Sequence, residues 1–475
     1  MNFEAVIGLE IHIQMKTNSK MFSTAPVSFG NLPNTNVAIN DLAFPGSMPV
    51  VNKQAVVNAI RLCHVMNMEI DDELWFDRKN YFYSDLPKGY QITQQKRPIG
   101  RNGYIKIETS NGPKSIHIER LHMEEDTGKQ LHDNQTTYLD FNRAGIPLIE
   151  LVTKPELRNG EEAMKFVEQI RSIVIFLGVS DGKMEEGSIR CDVNVSIRPI
   201  GYTGFGNKAE IKNLNSLYNI QKGIDYEIKR QEALLLSGNE VIQETRRFDE
   251  SSEKTVSLRA KIDDIDYKYF TEPNIIPIKL SKEFIENAIK TSPELASSRK
   301  QRYMELGLNE YDANILTANK DISDYYDKVI SFNADPKLSA NWVNVDVQSV
   351  LNKQNISIKE FSVAPEHLAK LINLIENKIV SHKQARDIFN KMLLIDGKDP
   401  EGLLQSIGAG LISDEKVLLE TIDKVLNDNP QSIDDYRKGK DRVLGYLVGQ
   451  VMKLTQGKAN PELTNKLLLK KLKGE

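Results

Sequence analysis

Cysteine is almost absent: Cys63 and Cys191 are the only two among 475 residues. Two thiols cannot build a disulfide framework or a cysteine-rich zinc site, and their scarcity fits a reducing, cytoplasmic compartment. Long apolar runs are also missing. No stretch approaches the ~20 consecutive apolar residues of a membrane helix, so no membrane partner is expected. The first residues, Met1-Asn2-Phe3-Glu4, lack the basic region and apolar run of a signal peptide. Positive charge is not in excess. A net charge of −4 excludes a uniformly basic surface for nucleic acid, though not a local one. There is no Walker-type loop ending in Gly-Lys-Ser/Thr and no kinase motif set, so a nucleotide site would have to be built on a sheet face. A nucleophile constellation is missing as well. Cys191 falls on the apolar face of its strand and Cys63 in a helical pattern, which places both in the core. His64, His367 and His382 have no acidic cluster around them and read as structural or surface residues.

What is present changes along the chain. The first ~290 residues hold 18 of the 28 glycines and several runs alternating apolar with polar, the period of half-buried strands. Helical patterns, Glu161 to Leu177 and Tyr218 to Leu236, lie between them. This predicts an α+β fold with a mainly antiparallel sheet over residues 1–292. From 281 to 396 there is a single glycine, Gly307. Ser292-Pro293-Glu294 carries the marks of a helix start, and His367 to Ile375 has helical spacing, so 293–407 is expected to be an all-α domain. Gly408-Ala409-Gly410 marks a joint to a small helical tail domain, 408–475. Residues 431–475 carry ten Lys or Arg against five Asp or Glu, a local balance of +5. Arg437, Lys438, Lys440 and Arg442 cluster there. Such an excess can contact phosphates although the whole chain is acidic.

Four strand-like runs carry acids. Strands point alternate side chains to opposite faces, so Glu10, His12 and Gln14 share one face of the first. Arg190, Asp192 and Asn194 share one face of another. The run Ile116–Asp126 ends in three adjacent acids, Glu124, Glu125 and Asp126, and Asp140–Glu150 ends in a glutamate. Two carboxylates ~4 Å apart repel by about 4 kcal/mol at an effective dielectric of 20. A cluster of them persists only if protonated, paired with a base or bound to a cation. Oxygen ligands favour Mg²⁺ or Mn²⁺ over zinc. Such a cation among carboxylates and bases is the usual equipment for phosphoryl transfer from ATP. The stretch Asp77–Tyr90, dense in aromatics and bases, is either a loop packed by its own tyrosines or one that contacts substrate.

The motifs that carry a resemblance are long and ordered. They include Gly8-Leu9-Glu10-Ile11-His12, the stretch Lys79 to Gln91, and Leu139 to Thr153 closing on Pro155-Glu156. Lys183 to Asp192, Glu210 to Ser216, Gln243 to Glu250 and Val448 to Lys453 extend the match. Together they resemble the GatB family, the B subunits of tRNA-dependent amidotransferases. The resemblance implies a glutamine-synthetase-like cradle domain followed by a helical domain and a tRNA-binding tail. It implies a ligase that uses ATP and Mg²⁺ to phosphorylate the side-chain carboxylate of misacylated Glu-tRNA(Gln) or Asp-tRNA(Asn). Ammonia made by an amidase, the glutaminase of the complex, then displaces the phosphate, and a small third protein makes the assembly a heterotrimer. Carried over onto this sequence, Glu10, His12, Glu125 and Glu150 fall at the metal cluster, with Asp192 and Glu186 as further acids. Lys79, Tyr81 and Lys88 fall along the passage for ammonia. Arg190, Lys212, Arg246 and Arg247 are candidates for ATP phosphates or the tRNA end.

Ser84, Lys154, Lys268, Thr271 and Asn274 depart from the usual family pattern, which leaves the copy's efficiency and tRNA preference open. Two other readings stand beside this one. A stand-alone ligase of the glutamine-synthetase type would need neither the helical domain nor a basic tail. A silent tRNA-binding scaffold would have no use for the costly acids.

Overall fold

The computed structural model describes residues 2–260, 266–395, 399–404, 415–437, 442–455 and 459–473. The chain divides between Leu295 and Ala296 into two compact units.

The first unit is built on a nine-stranded sheet. Its order is Lys254–Ala260, Glu244–Asp249, Ala209–Lys212, Ile189–Pro199, Phe3–Gln14, Pro147–Thr153, Gly112–Glu125, Gly100–Thr109 and Glu69–Ile70. All neighbours run antiparallel except Ala209–Lys212 beside Glu244–Asp249. The expected α+β class with a mainly antiparallel sheet is what forms. Alternation decides which face is buried. Leu9, Ile11 and Ile13 are wholly inaccessible, as are Val193 and Val195. They share one core with the helices Lys53–Val65, Gly160–Phe176 and Leu217–Leu236. Both cysteines lie in this core. The helices start where side chains can satisfy orphan amides: Asn159 accepts from Glu162 N at 2.9 Å and Ser216 from Asn219 N at 3.1 Å.

With one face given to the helices, the alternate side chains of the central strands are left to line the other, and these are Glu10, His12 and Glu150. A second sheet, Phe270–Thr271, Asp77–Asn80 and Tyr90–Thr93, packs beside the end of Gly112–Glu125. The turn into Pro147–Thr153 needs Gly145. Its φ is +87°, and an added Cβ would sit 2.8 Å from Asp41 Oδ1, which belongs to the carboxylate bonded to the fully buried Lys20.

The second unit is helical throughout its described elements. One core gathers side chains from Tyr303 to Leu403, including Trp342, Leu371 and Phe389. A separate core gathers Leu418 to Leu472. The helix expected at Ser292 begins later, at Ala296. Ser292 N instead bonds Ile289 O at 3.0 Å, closing the preceding helix Lys282–Lys290. Its hydroxyl is buried and meets no hydrogen-bond partner among the described residues, so it caps no helix. The glycine joint at 408–410 lies outside the described residues, as do Lys438 and Lys440.

Candidate active site

Register assembles the site. Arg190, His12, Glu150 and His122 stand in one row across four adjacent strands, each paired with the next. A row in an antiparallel sheet holds its side chains ≈ 4.5–5.5 Å apart on the same face. Further along, Leu148 pairs with Glu124 and Pro147 with Glu125.

Three ligand-bearing side chains converge. One atom each of His12, Glu124 and Glu150 lies within 4.8 Å of the others. His12 Nε2 is 3.6 Å from Glu124 Oε1 and 3.4 Å from Glu150 Oε2. His122 Nε2 is 3.5 Å from Glu124 Oε2 and 3.3 Å from Glu150 Oε2. Glu124 and His122 are buried; His12 keeps about a quarter of its side chain exposed. Burial pulls both imidazoles down, but the facing carboxylates win: His12 is raised, and His122 rises to about 9. For Glu150, burial pushes upward and His122 and His12 more than reverse it, so it titrates well below the ordinary glutamate range.

Glu125 turns elsewhere. Its Oε1 accepts from Lys88 Nζ and, at 3.0 Å, from Ile92 N. Lys79, on the neighbouring sheet, lies within electrostatic range of the triad. Burial lowers it, but Glu124, Tyr269 and Glu150 raise it further, so it stays cationic. Its Nζ lies 4.7 Å over the Tyr267 ring, and Tyr81 meets both Tyr83 and Tyr267 edge to face. Burial pushes the Tyr81 phenol well up, with Glu124 adding to it.

The remaining expected residues form satellites. Glu10 Oε1 accepts from Asn194 Nδ2 at 3.0 Å. Asp192 pairs with Lys212 at 2.5 Å, and Lys212 with Glu210 at 3.0 Å. Arg190 is held at 2.8 Å by the buried Asp126, which also accepts from Gln14. Arg246 is buried among Glu244, Glu227 and Thr255, whereas Arg247 beside it is exposed. Glu186 pairs with Lys183 at the surface. The structure brings His12, Glu124 and Glu150 together, while Glu125, Glu10 and Asp192 hold other partners. His122, Tyr267 and Tyr269 are not among the candidates that the sequence offers, and Asp126 is legible there only as one of three adjacent acids. Strand parity alone puts His122 with Glu124; nothing local puts Tyr267 beside Lys79, 188 positions away.

A cavity of about 260 Å³ opens beside this row, lined by Val6, Gly8, Glu10, Asn194, Phe205 and Lys208 among others. Asn194 Oδ1 is buried there and meets no hydrogen-bond partner among the described residues.

The comparisons with known proteins agree with one another. The family described as GatB/GatE catalytic domain matches residues 5–286, and the one described as GatB domain matches residues 324–472. The chain belongs to the GatB family. The B subunit of the aspartyl/glutamyl-tRNA(Asn/Gln) amidotransferase of Staphylococcus carnosus is 49% identical over 473 residues, 99% of each chain. The proteins of the same description from Bacillus cytotoxicus and Geobacillus thermodenitrificans are each 48% identical over 474 residues, again 99% of each chain. Membership places this chain among amidotransferase B subunits, and the row of acids and histidines lies inside its GatB catalytic domain. No helix among the described residues is long and apolar enough to cross a membrane.

Proposed function

We propose that this GatB chain activates the side-chain carboxylate of an aminoacyl-tRNA as the ATP-using member of an amidotransferase complex. The observation that carries the reading is the convergence of His12, Glu124 and Glu150 within electrostatic range of a cationic Lys79. A buried and a partly buried carboxylate, Glu124 and Glu150, with one imidazole make an oxygen-rich donor set that suits Mg²⁺ or Mn²⁺ with positions left for phosphate oxygens and water. Bound there, such a cation would supply charge neutralisation for a transferring phosphoryl group.

The chain's own residues would do the rest. The cavity at Glu10 and Asn194 takes the nucleotide, with the free Asn194 carbonyl available to a donor on the base or sugar. Its phosphates then point along the strand toward His12. Lys79 offsets the negative charge of the acceptor carboxylate as its oxygen attacks the γ-phosphorus and ADP departs. Ammonia adds to the resulting acyl phosphate, inorganic phosphate leaves, and the amide remains after loss of a proton. Lys88, Tyr81 and Lys79 line the polar approach for ammonia, in an environment where burial disfavours a stray charge. The partners are a glutamine-hydrolysing amidase and a small third protein, and the substrate is Asp-tRNA(Asn), Glu-tRNA(Gln) or both.

The test is amidation by the reconstituted complex, supplied with ATP, Mg²⁺ and glutamine and with each misacylated tRNA in turn. ATP-dependent amide formation on at least one tRNA is expected. Amidation of free glutamate or aspartate instead, or of neither tRNA, would overturn the reading.

A further inference from the structure

His122 has no place in the mechanism above, yet it touches both carboxylates of the triad. It stands across from Glu150 in the sheet register, on the side away from His12. Its side chain is 5% exposed. Nε2 lies 3.3 Å from Glu150 Oε2 and 3.5 Å from Glu124 Oε2. Nδ1 is buried and meets no hydrogen-bond partner among the described residues. An unsatisfied buried nitrogen costs free energy that leucine, of similar bulk, would not. Packing therefore does not account for an imidazole here, whereas the position of Nε2 does. The two histidines flanking Glu150 differ in kind. His12 is open to the cleft and shares the ligand triangle; His122 is closed off behind it. Buried carboxylates repel and would rotate apart unless a donor held them. Groups that orient the ligands of a cation in this way change its affinity strongly.

We propose that His122 is a positioning residue for the cation site, its Nε2–H holding the Glu124 and Glu150 carboxylates at the spacing at which they and His12 share one divalent ion. The inference rests on reading the triad as a cation site, and the experiment separates the two. Mn²⁺ is titrated into the full-length chain, and free Mn²⁺ is followed by electron paramagnetic resonance. The variants are His122→Leu, His122→Gln and His122→Asn, with Glu150→Gln as the control. Gln can bring its amide nitrogen to where the imidazole Nε2 stood; Asn stops at the level of Nδ1.

The expected result is a loss of about ten- to a hundredfold in Mn²⁺ affinity for Leu and for Asn, with Gln within about threefold of the parent. Melting curves show whether each variant remains folded, and Asn replaces Leu in the comparison if Leu does not. Affinity unchanged or increased in a folded Leu or Asn variant overturns the role. So does a Gln variant as weak as Leu, which would make the ring itself the requirement. A parent chain that binds no Mn²⁺, or binds it as well as Glu150→Gln does, overturns the cation site and the role together.

Discussion

Glu124 and Glu125 are adjacent in the chain but answer to different partners. Glu124 faces His12 and His122, while Glu125 accepts from Lys88 and from the Ile92 amide. The division separates two tasks that a run of acids leaves merged. Glu124→Gln should weaken Mn²⁺ binding at least about tenfold, since a ligand matters no less than the groups that orient it. Glu125→Gln should leave that affinity within about threefold and still depress amidation. Equal loss of Mn²⁺ from both variants would erase the distinction.

The Lys88–Glu125 pair is buried on both sides, at 9% and 3% exposure. Removing one partner from a buried pair typically costs about 3–5 kcal/mol, because the other charge is stranded. Lys88→Met is therefore expected to lower unfolding stability in urea strongly. Adding Glu125→Gln should recover much of the loss, a coupling that a double-mutant cycle measures. Additive losses would show that the pair does not interact as the geometry indicates.

Phe205 is largely exposed where it lines the cavity beside Glu10. An aromatic ring stacked on a base is worth about 1–3 kcal/mol. Phe205→Ala should accordingly raise the KM for ATP by roughly fivefold or more, with kcat and glutaminase activity little changed. A KM for ATP identical to the parent's would place the nucleotide elsewhere.

Glu244 offers a test of acid sensitivity away from the triad. Burial raises its carboxyl, but hydrogen bonds from Ser257 and Arg246 and the charge of Arg230 hold it below the usual 4.5. A depressed carboxyl contributes stability that is fully present above its unfolded value and is lost as pH falls through its folded one. Glu244→Gln should thus melt below the parent at pH ~7, and the gap should narrow as pH drops below about 4.5. A gap that widens on acidification would contradict the sign.

The tail's separate core, Leu418 to Leu472, makes truncation informative. Deleting residues from 410 onward should raise the KM for tRNA and flatten the salt dependence of binding, because phosphate contacts are lost with the lysines and arginines there. Mn²⁺ affinity should persist, since all three triad residues precede residue 151. Full amidation at unchanged tRNA KM would remove the tail from tRNA binding.

What the sequence determined by itself is local or cumulative. Alternation along Phe3–Gln14 sends Glu10 and His12 to one face and Leu9, Ile11 and Ile13 to the other, because successive strand side chains must oppose. Helices at Gly160–Phe176 and Leu217–Leu236 arise from apolar spacing and from Asn159 and Ser216 as caps. Long ordered motifs are enough to show the family. What sequence could not decide is long-range. Whether Glu124 or Glu125 completes the triad depends on the register of Gly112–Glu125 against Pro147–Thr153, and a shift of one residue would exchange them. Arg246 and Arg247, both candidates for ATP phosphates or the tRNA end, are alike in sequence; only the sheet buries Arg246 against Glu227 and Glu244 and leaves Arg247 exposed. Tyr267 reaches Lys79 only because Phe270–Thr271 pairs with Asp77–Asn80. Pairing between distant strands sets these neighbours, and no residue's own backbone preference encodes which distant strand it will meet.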